Sequence, residues 1–87
     1  MSWNIHPGEI LREEFMKPLM LSSRKLAKAL EVPPPRVNDI ILEKRGISAD
    51  TALKLARYFQ TTAKFWMNLQ VSYELRNSQQ NMKIKLW

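Results

Sequence analysis

The chain has 87 residues and a mass of 10.3 kDa, which suffices for one small domain and excludes a second. It contains no cysteine, so disulfides and zinc–thiolate sites are excluded, and a lone histidine cannot hold a transition metal. No apolar run approaches the ~18 residues of a membrane span, and the amino terminus lacks the pattern of a secretion signal. We therefore expect a soluble, cytoplasmic domain with no cofactor, metal or membrane partner.

The excess of basic over acidic residues lies in the second half of the chain. Fourteen Lys and Arg against eight Asp and Glu give a net charge of +6. Residues 1–43 contain six basic and six acidic side chains, whereas residues 44–87 contain eight and two, so the whole excess lies in the second half. Solvated surface lysine would explain it, but a polyanion is the easiest large partner. Charge alone does not choose between nucleic acid, membrane and acidic protein.

Proline and serine signals divide the first part of the chain into two short helices. Pro7 is favoured at the first position of a helix, His6 before it is a capping or surface residue, and Pro18 ends the segment. Ser22 is a good N-cap for the second helix. The apolar residues at helical spacing that face inward there are Leu26, Ala27 and Leu30.

Three consecutive prolines follow the second helix. A residue that precedes proline avoids the α region, so Val32, Pro33 and Pro34 are predicted to be extended. The third helix is therefore predicted to begin at Pro35. Gly46 is its natural terminator. The inward residues of this helix are Val37, Ile40 and Ile41.

The remaining chain predicts two more helices and a tail. Ser48 caps a fourth helix. A fifth helix begins after Thr61 and Thr62 and ends within residues 77–81. The last six residues alternate apolar and polar, which indicates an extended tail that is either frayed or paired with the sheet edge of another chain. The prediction is an all-α, five-helix domain over residues 1–76 with a tail over residues 77–87.

The second and third helices have the proportions of a helix-turn-helix, over residues 22–45. In that motif the first helix crosses the DNA backbone and the second enters the major groove. Hydroxyls and cations suited to phosphate begin the first helix, and two further cations follow the second. These candidates are Ser22, Ser23, Arg24, Lys25, Lys44 and Arg45.

Three polar side chains on the third helix are the candidates for reading bases. Arg36 could donate two hydrogen bonds to guanine, and Asn38 could form two hydrogen bonds with adenine. Asp39 could accept a hydrogen bond from the amino group of cytosine. They could equally be the hydrated face of an ordinary helix, and spacing alone does not decide between these interpretations.

Several motifs resemble one family. The motifs are HPGE at residue 6, LAKAL at 26, VPP.R at 32, KRGISADTALKLARYF at 44 and FWMNLQ at 65. They are similar to those of the HigA-type antitoxins, also called the virulence-associated protein I group. These belong to the phage-repressor (XRE) helix-turn-helix class. The resemblance implies a lambda repressor-like homodimer that represses its own operon and neutralises a HigB toxin, an mRNA-cleaving ribonuclease of the RelE type.

The resemblance also implies roles for individual residues. Ser23 and Arg24 take the position that contacts the DNA backbone. The positions that face the bases are taken by Pro34, Pro35, Arg36 and Asp39.

The chain departs from the family pattern at three places. Glu31 stands where glycine is usual, so the first helix of the motif is expected to end without its left-handed residue. Pro35 replaces a serine and Ala63-Lys64 replaces Pro-Glu. Since prolines cannot donate hydrogen bonds, direct readout falls on Arg36, Asn38 and Asp39. The changes put the operator sequence in doubt more than the fold.

A single module of this size makes few base contacts, so repressors of this geometry act as dimers. The fifth helix carries more apolar surface than so small a core readily hides, and its aromatic residues suit an interface. The predicted dimer face consists of Phe65, Trp66, Leu69, Val71 and Tyr73, with Trp66 expected partly in the core. Candidate toxin contacts are Glu9, Glu13 and Glu14 and the carboxyl-terminal tail.

Two alternatives to the antitoxin remain. One is a stand-alone phage-type repressor without a toxin, and the other is a protein-only neutraliser whose triple proline has abolished DNA binding. An enzyme is not expected, because no nucleophile–base pair and no glycine-rich phosphate loop is readable.

Overall fold

The computed structural model describes residues 5–81, and side chains as far as residue 78, as five helices without a strand. The predicted all-α, five-helix fold is confirmed. Helix α5 continues past residue 76, and the extended tail predicted for the last six residues lies outside the described part. The helices are α1 (Pro7–Ile10), which continues as a π-helix (Leu11–Met16), α2 (Ser23–Leu30), α3 (Pro34–Ile41), α4 (Ala49–Phe59) and α5 (Ala63–Asn81).

Side-chain caps begin four of these helices where the sequence predicts them, and at α5 the Thr62 hydroxyl accepts the Phe65 N–H at 3.0 Å. His6 Nδ1 accepts the Gly8 N–H at 2.8 Å, which confirms the capping role of this histidine. Ser22 Oγ accepts the Lys25 N–H at 3.1 Å, and Ser48 Oγ accepts the Thr51 N–H at 3.3 Å. Each cap satisfies an N–H that has no partner inside its own helix.

The prediction that α3 begins at Pro35 is wrong by one residue. Only Pro33 is the extended N-cap, and Pro34 is already helical although proline follows it. The restriction on a residue before proline comes partly from a clash with its N–H, and Pro34 has none. The helical start at Pro34 is therefore less strained than the general rule implies.

The predicted ends of the two motif helices are also corrected. Glu31 itself takes the left-handed conformation after α2, with φ 59° and ψ 45°, despite its Cβ. Helix α3 ends at Ile41, and Glu43 rather than Gly46 has a positive φ there, 63°. Because backbone bonds hold these turns, left-handed geometry is imposed on side chains that do not favour it.

The first helix widens into a π-helix that no local signal predicts. Its hydrogen bonds join residues five apart, as from the Lys17 N–H to the Arg12 carbonyl at 3.0 Å. In an α-helix, Leu11 and Met16 would point about 140° apart. Both are buried, since the wider turn brings them towards the same side.

The core collects apolar residues from all five helices around Trp66. That side chain is completely buried, and its Nε1–H donates to Thr61 Oγ1 at 2.8 Å. The ring of Phe15 lies 4.9 Å from both Trp66 and Phe59, centroid to centroid. The buried apolar residues are Leu11, Met16, Leu26, Ala27, Leu30, Val32, Val37, Ile40, Ile47, Ala52, Leu55 and Trp66.

Helix α1 packs so closely against α3 that the backbones of the two helices are in contact. A Cβ added to Gly8 would lie 1.8 Å from the Ile40 carbonyl oxygen, so only glycine fits there. Close by, the Arg12 guanidinium donates to the Ile41 carbonyl at the carboxyl end of α3. The first helix thereby holds the end of α3 in place.

Candidate nucleic-acid interface

Helices α2 and α3 form a packed pair joined by the three-residue turn 31–33. Leu26, Ala27 and Leu30 from α2 are buried, as are Val37 and Ile40 from α3. Because these apolar residues occupy the inner face of each helix, the polar residues between them are directed outward. The pair therefore presents one polar surface built from two helices.

The amino end of α2 supplies cations and free donors. Arg24, Lys25 and Ser22 are exposed, and Ser23 is half-buried. Within the described residues, the N–H groups of Ser23 and Arg24 have no acceptor, since the Ser22 hydroxyl takes only the Lys25 N–H. Two backbone donors and two cations at one helix end suit a phosphate.

The amino end of α3 offers no such donors. Pro33, Pro34 and Pro35 lack N–H groups, and the Arg36 N–H is bonded to the Pro33 carbonyl at 2.9 Å. A phosphate therefore cannot be bound there through the backbone, in contrast to α2. Any recognition by α3 has to come from its side chains.

The polar side chains of α3 are accessible. Asn38 is exposed, Arg36 and Asp39 are half-buried, and the flanking Val37 and Ile40 are each 1% exposed. Pro34 and Pro35 are also exposed on the first turn. The structure thus brings the predicted base-facing residues to the outer side of one helix.

The loop after α3 carries the remaining predicted phosphate contacts. Lys44 and Arg45 are exposed, and the Lys44 N–H donates to the Asp39 carbonyl at 2.8 Å. Two residues beyond Arg45, the Ile47 N–H donates to the side chain of Gln70 on α5 at 2.7 Å. No local pattern in the sequence points to Gln70, since it lies 23 positions from Ile47.

The cations of this surface are free to meet an anion. Among the described residues, no hydrogen bond or ion pair engages the side chains of Arg24, Lys25, Arg36, Lys44 or Arg45. The acidic side chains that form ion pairs bind other cations. Glu13 binds Arg12 and Lys17, each at 2.9 Å, and Asp50 lies 3.4 Å from Lys54. An incoming phosphate would therefore not have to displace an internal carboxylate.

One acidic candidate for toxin contact is already occupied. The pKa of Glu13 is lowered, first by its hydrogen bond to Lys17 and then by that to Arg12. Both bonds favour the charged carboxylate. Glu9 and Glu14 have no such partner within the part of the chain described here.

The five residues predicted for the dimer face do not share one exposed surface of α5. Trp66 is fully buried in its own protomer, Leu69 is half-buried, and Tyr73 packs on His6. Only Phe65 and Val71 are exposed. Trp66 therefore belongs to the core because its indole fills the space beside Phe15 and Phe59.

Leu75 adds exposed apolar surface to α5 beyond the residues predicted for the dimer face. Leu75 is 60% exposed and lies one helical turn beyond Val71, so the two share a face of α5.

The described residues contain neither a group of side chains suited to holding a metal ion nor a helix able to cross a lipid bilayer.

Comparison with known proteins agrees with this geometry. The helix-turn-helix family model HTH_3 matches residues 13–66. Virulence-associated protein I of Dichelobacter nodosus is 57% identical over 77 residues, which cover 88% of this chain and 71% of the relative. PA4674 of Pseudomonas aeruginosa, solved in complex with its 28-bp operator DNA, is 57% identical with a TM-score of 0.85, over 86% of this chain and 82% of that one. Pseudomonas aeruginosa antitoxin HigA, solved with the higBA promoter, is 50% identical with a TM-score of 0.86, over 95% and 97%.

The fold and its polar surface define a DNA-binding regulator built on a helix-turn-helix. The family match covers more than half of the chain, and the first relative exceeds 50% identity. The chain belongs to the helix-turn-helix family, in its HigA and virulence-associated protein I group. Proteins of this family are regulators and antitoxins and are not enzymes.

Proposed function

We propose that the protein is a DNA-binding antitoxin that represses its own operon and neutralises a HigB-type toxin in the cytoplasm. The observation that carries the DNA role is the set of exposed or half-buried cations on α2, α3 and the following loop, which have no partner among the described residues. The similar PA4674 and HigA proteins were solved with operator or promoter DNA, which supports an operator as the ligand.

Phosphates are proposed to bind at both ends of the motif. Arg24 and Lys25 with the free N–H groups of α2 bind one stretch of backbone, and Lys44 with Arg45 binds a flanking phosphate. These contacts set the register of the protein on the duplex. Between them, Arg36, Asn38 and Asp39 reach base edges in the major groove, and Pro35 can pack on a thymine methyl.

The protein is proposed to act as a homodimer, since two modules are needed to read two half-sites one helical turn apart. Val71, Leu75 and Phe65 on α5 are the apolar surface available for that contact. Toxin neutralisation is proposed from family membership and from the similarity to a HigA antitoxin.

The DNA role is tested by fluorescence anisotropy on a duplex of about 30 base pairs from upstream of the operon, which accommodates two half-sites. Four phosphate contacts per protomer predict that log K falls with log salt with a slope of about −7 for the dimer. A scrambled duplex of equal length is the control. A slope near zero, or equal affinity for both duplexes, would contradict specific repression.

The antitoxin role is tested by co-expressing the product of the adjacent gene. We expect growth arrest when the neighbouring ribonuclease is expressed alone and recovery when this protein is expressed with it. If the promoter is bound but no neighbouring gene is toxic, the protein is a stand-alone phage-type repressor. If the toxin is neutralised without promoter binding, the protein acts on the toxin alone.

A further inference from the structure

Gln70 is a buried polar side chain on a helix that does not belong to the helix-turn-helix. It is 7% exposed, and both ends of its carboxamide are used. Its Oε1 accepts the Ile47 N–H at 2.7 Å, and its Nε2 donates to Glu74 Oε2 at 2.8 Å. A buried amide whose oxygen and nitrogen are both hydrogen-bonded holds one geometry, because breaking either bond leaves a polar group unsatisfied.

The loop on the other side of this contact is shaped to receive it. A Cβ added to Gly46 would lie 2.6 Å from Gln70 Oε1 and 2.7 Å from its Nε2. The carboxamide therefore occupies the space that any other residue at position 46 would need. Gly46 has no positive φ, so close approach rather than backbone conformation explains the glycine.

This contact fixes one end of the segment that carries the two cations after α3. The other end is fixed where the Lys44 N–H donates to the Asp39 carbonyl at 2.8 Å. Lys44 and Arg45 thus lie between an anchor on α3 and an anchor on α5. Both side chains are exposed and unpaired among the described residues. The two backbone anchors alone therefore fix the main-chain positions from which these side chains extend.

We propose that Gln70 is a positioning residue for DNA binding, which fastens the loop of Lys44 and Arg45 to α5 and so places both cations at a phosphate. The inference rests on the proposed function, since it concerns the same DNA surface. It also gives α5 a part in DNA binding, although none of its own side chains needs to reach the duplex.

The first test replaces Gln70 with Met, which keeps the length of the side chain but cannot accept the Ile47 N–H. Binding is measured on the same promoter duplex between 50 and 300 mM salt. We expect about tenfold weaker binding and a salt slope less steep by up to about 2 per protomer, since two phosphate contacts are loosened. Asn68→Met, at an exposed position of the same helix, is the control and should retain the wild-type slope.

A double-mutant cycle separates positioning from a general loss of stability. In the Lys44→Ala/Arg45→Ala background the loop has neither of the two cations left to position. Gln70→Met should then cause no further loss of affinity. Additive losses in the cycle would overturn the proposal, because a purely structural defect weakens both backgrounds equally.

Rescue uses the pair that the structure already shows. In Gln70→Glu/Glu74→Gln the new carboxylate accepts the Ile47 N–H and also accepts from the new amide, so both bonds re-form with unchanged net charge. This variant should regain the wild-type salt slope of DNA binding. Gly46→Ala should instead make the slope less steep, as Gln70→Met does. Circular dichroism establishes that each variant is folded, and these last two decide the question if Gln70→Met does not fold.

The outcomes distinguish this inference from the proposed function. If the wild-type protein does not bind the promoter duplex, the proposed function fails and this inference fails with it. If the wild-type protein binds and folded Gln70→Met or Gly46→Ala binds with the same slope, only the inference is overturned. A folded swap variant that keeps a reduced slope also overturns it.

Discussion

The imidazole of His6 lies edge-on against the phenol ring of Tyr73, with ring centroids 4.7 Å apart and an interplanar angle of 70°. The same imidazole accepts the Gly8 N–H through Nδ1 and is buried. One side chain therefore caps α1 and joins it to α5. The cap requires His6 to be unprotonated at Nδ1, because a protonated Nδ1 cannot accept a hydrogen bond.

We expect the protein to lose stability as the pH falls below about 6.5, the usual pKa of histidine. The pKa of His6 is lowered chiefly by burial and further by Arg12, with Glu43 opposing. The unfolded chain therefore binds a proton before the folded chain does. Stability is fully present above the unfolded pKa and declines as the pH falls towards the folded value.

The pH prediction is checked by urea denaturation at pH 7.5 and 5.5 in constant salt. His6→Asn is the matched control, since asparagine can cap the helix but does not titrate in this range. Glu13, whose pKa is lowered below its ordinary 4.5, contributes only at more acidic pH. An equal change in the urea midpoint for both proteins would show that His6 is not the titrating group.

Replacing Glu31 with glycine should stabilise the protein by about 0.5–1 kcal/mol, because glycine adopts the left-handed conformation without the Cβ penalty. Glu31 has φ 59° and is exposed, so the substitution removes no buried contact. Glu31→Ala keeps a Cβ and should give no gain. The measurement is the free energy of unfolding in urea, and a loss of stability in the glycine variant would contradict the prediction.

Arg36→Ala should cost about 1–3 kcal/mol of binding on the promoter duplex and little on a scrambled one, as expected for a base contact. Arg24→Ala is the comparison, because a phosphate contact weakens binding to both duplexes alike. The two dissociation constants are measured by anisotropy at one salt concentration. Equal losses on both duplexes would reassign Arg36 to the DNA backbone.

Val71→Glu should convert the proposed dimer into a monomer without unfolding the chain. Val71 is 46% exposed in the protomer, so the glutamate is tolerated in the monomer, whereas a dimer centred on Val71 and Leu75 would bury two carboxylates. Leu53→Glu on α4, at a position 62% exposed, is the matched control. Sedimentation equilibrium gives the mass of each variant, and dissociation caused only by Leu53→Glu would move the interface to α4.

The local signals predicted the helices well. Ser22, Ser48 and His6 cap the helices that they were expected to begin, because capping depends on residues two or three positions away. The outward placement of Asn38 and the burial of Val37 and Ile40 follow from helical periodicity alone.

What the sequence by itself determined is therefore the order and nearly the limits of the helices, and the identity of the charged side chains around the motif. Only the tertiary structure decided that Trp66 lies entirely in the core and that Gly46 makes room for Gln70. The reason is physical: caps and periodicity act within one helical turn, whereas the Gln70–Ile47 bond spans 23 residues and exists only when α5 packs against the loop.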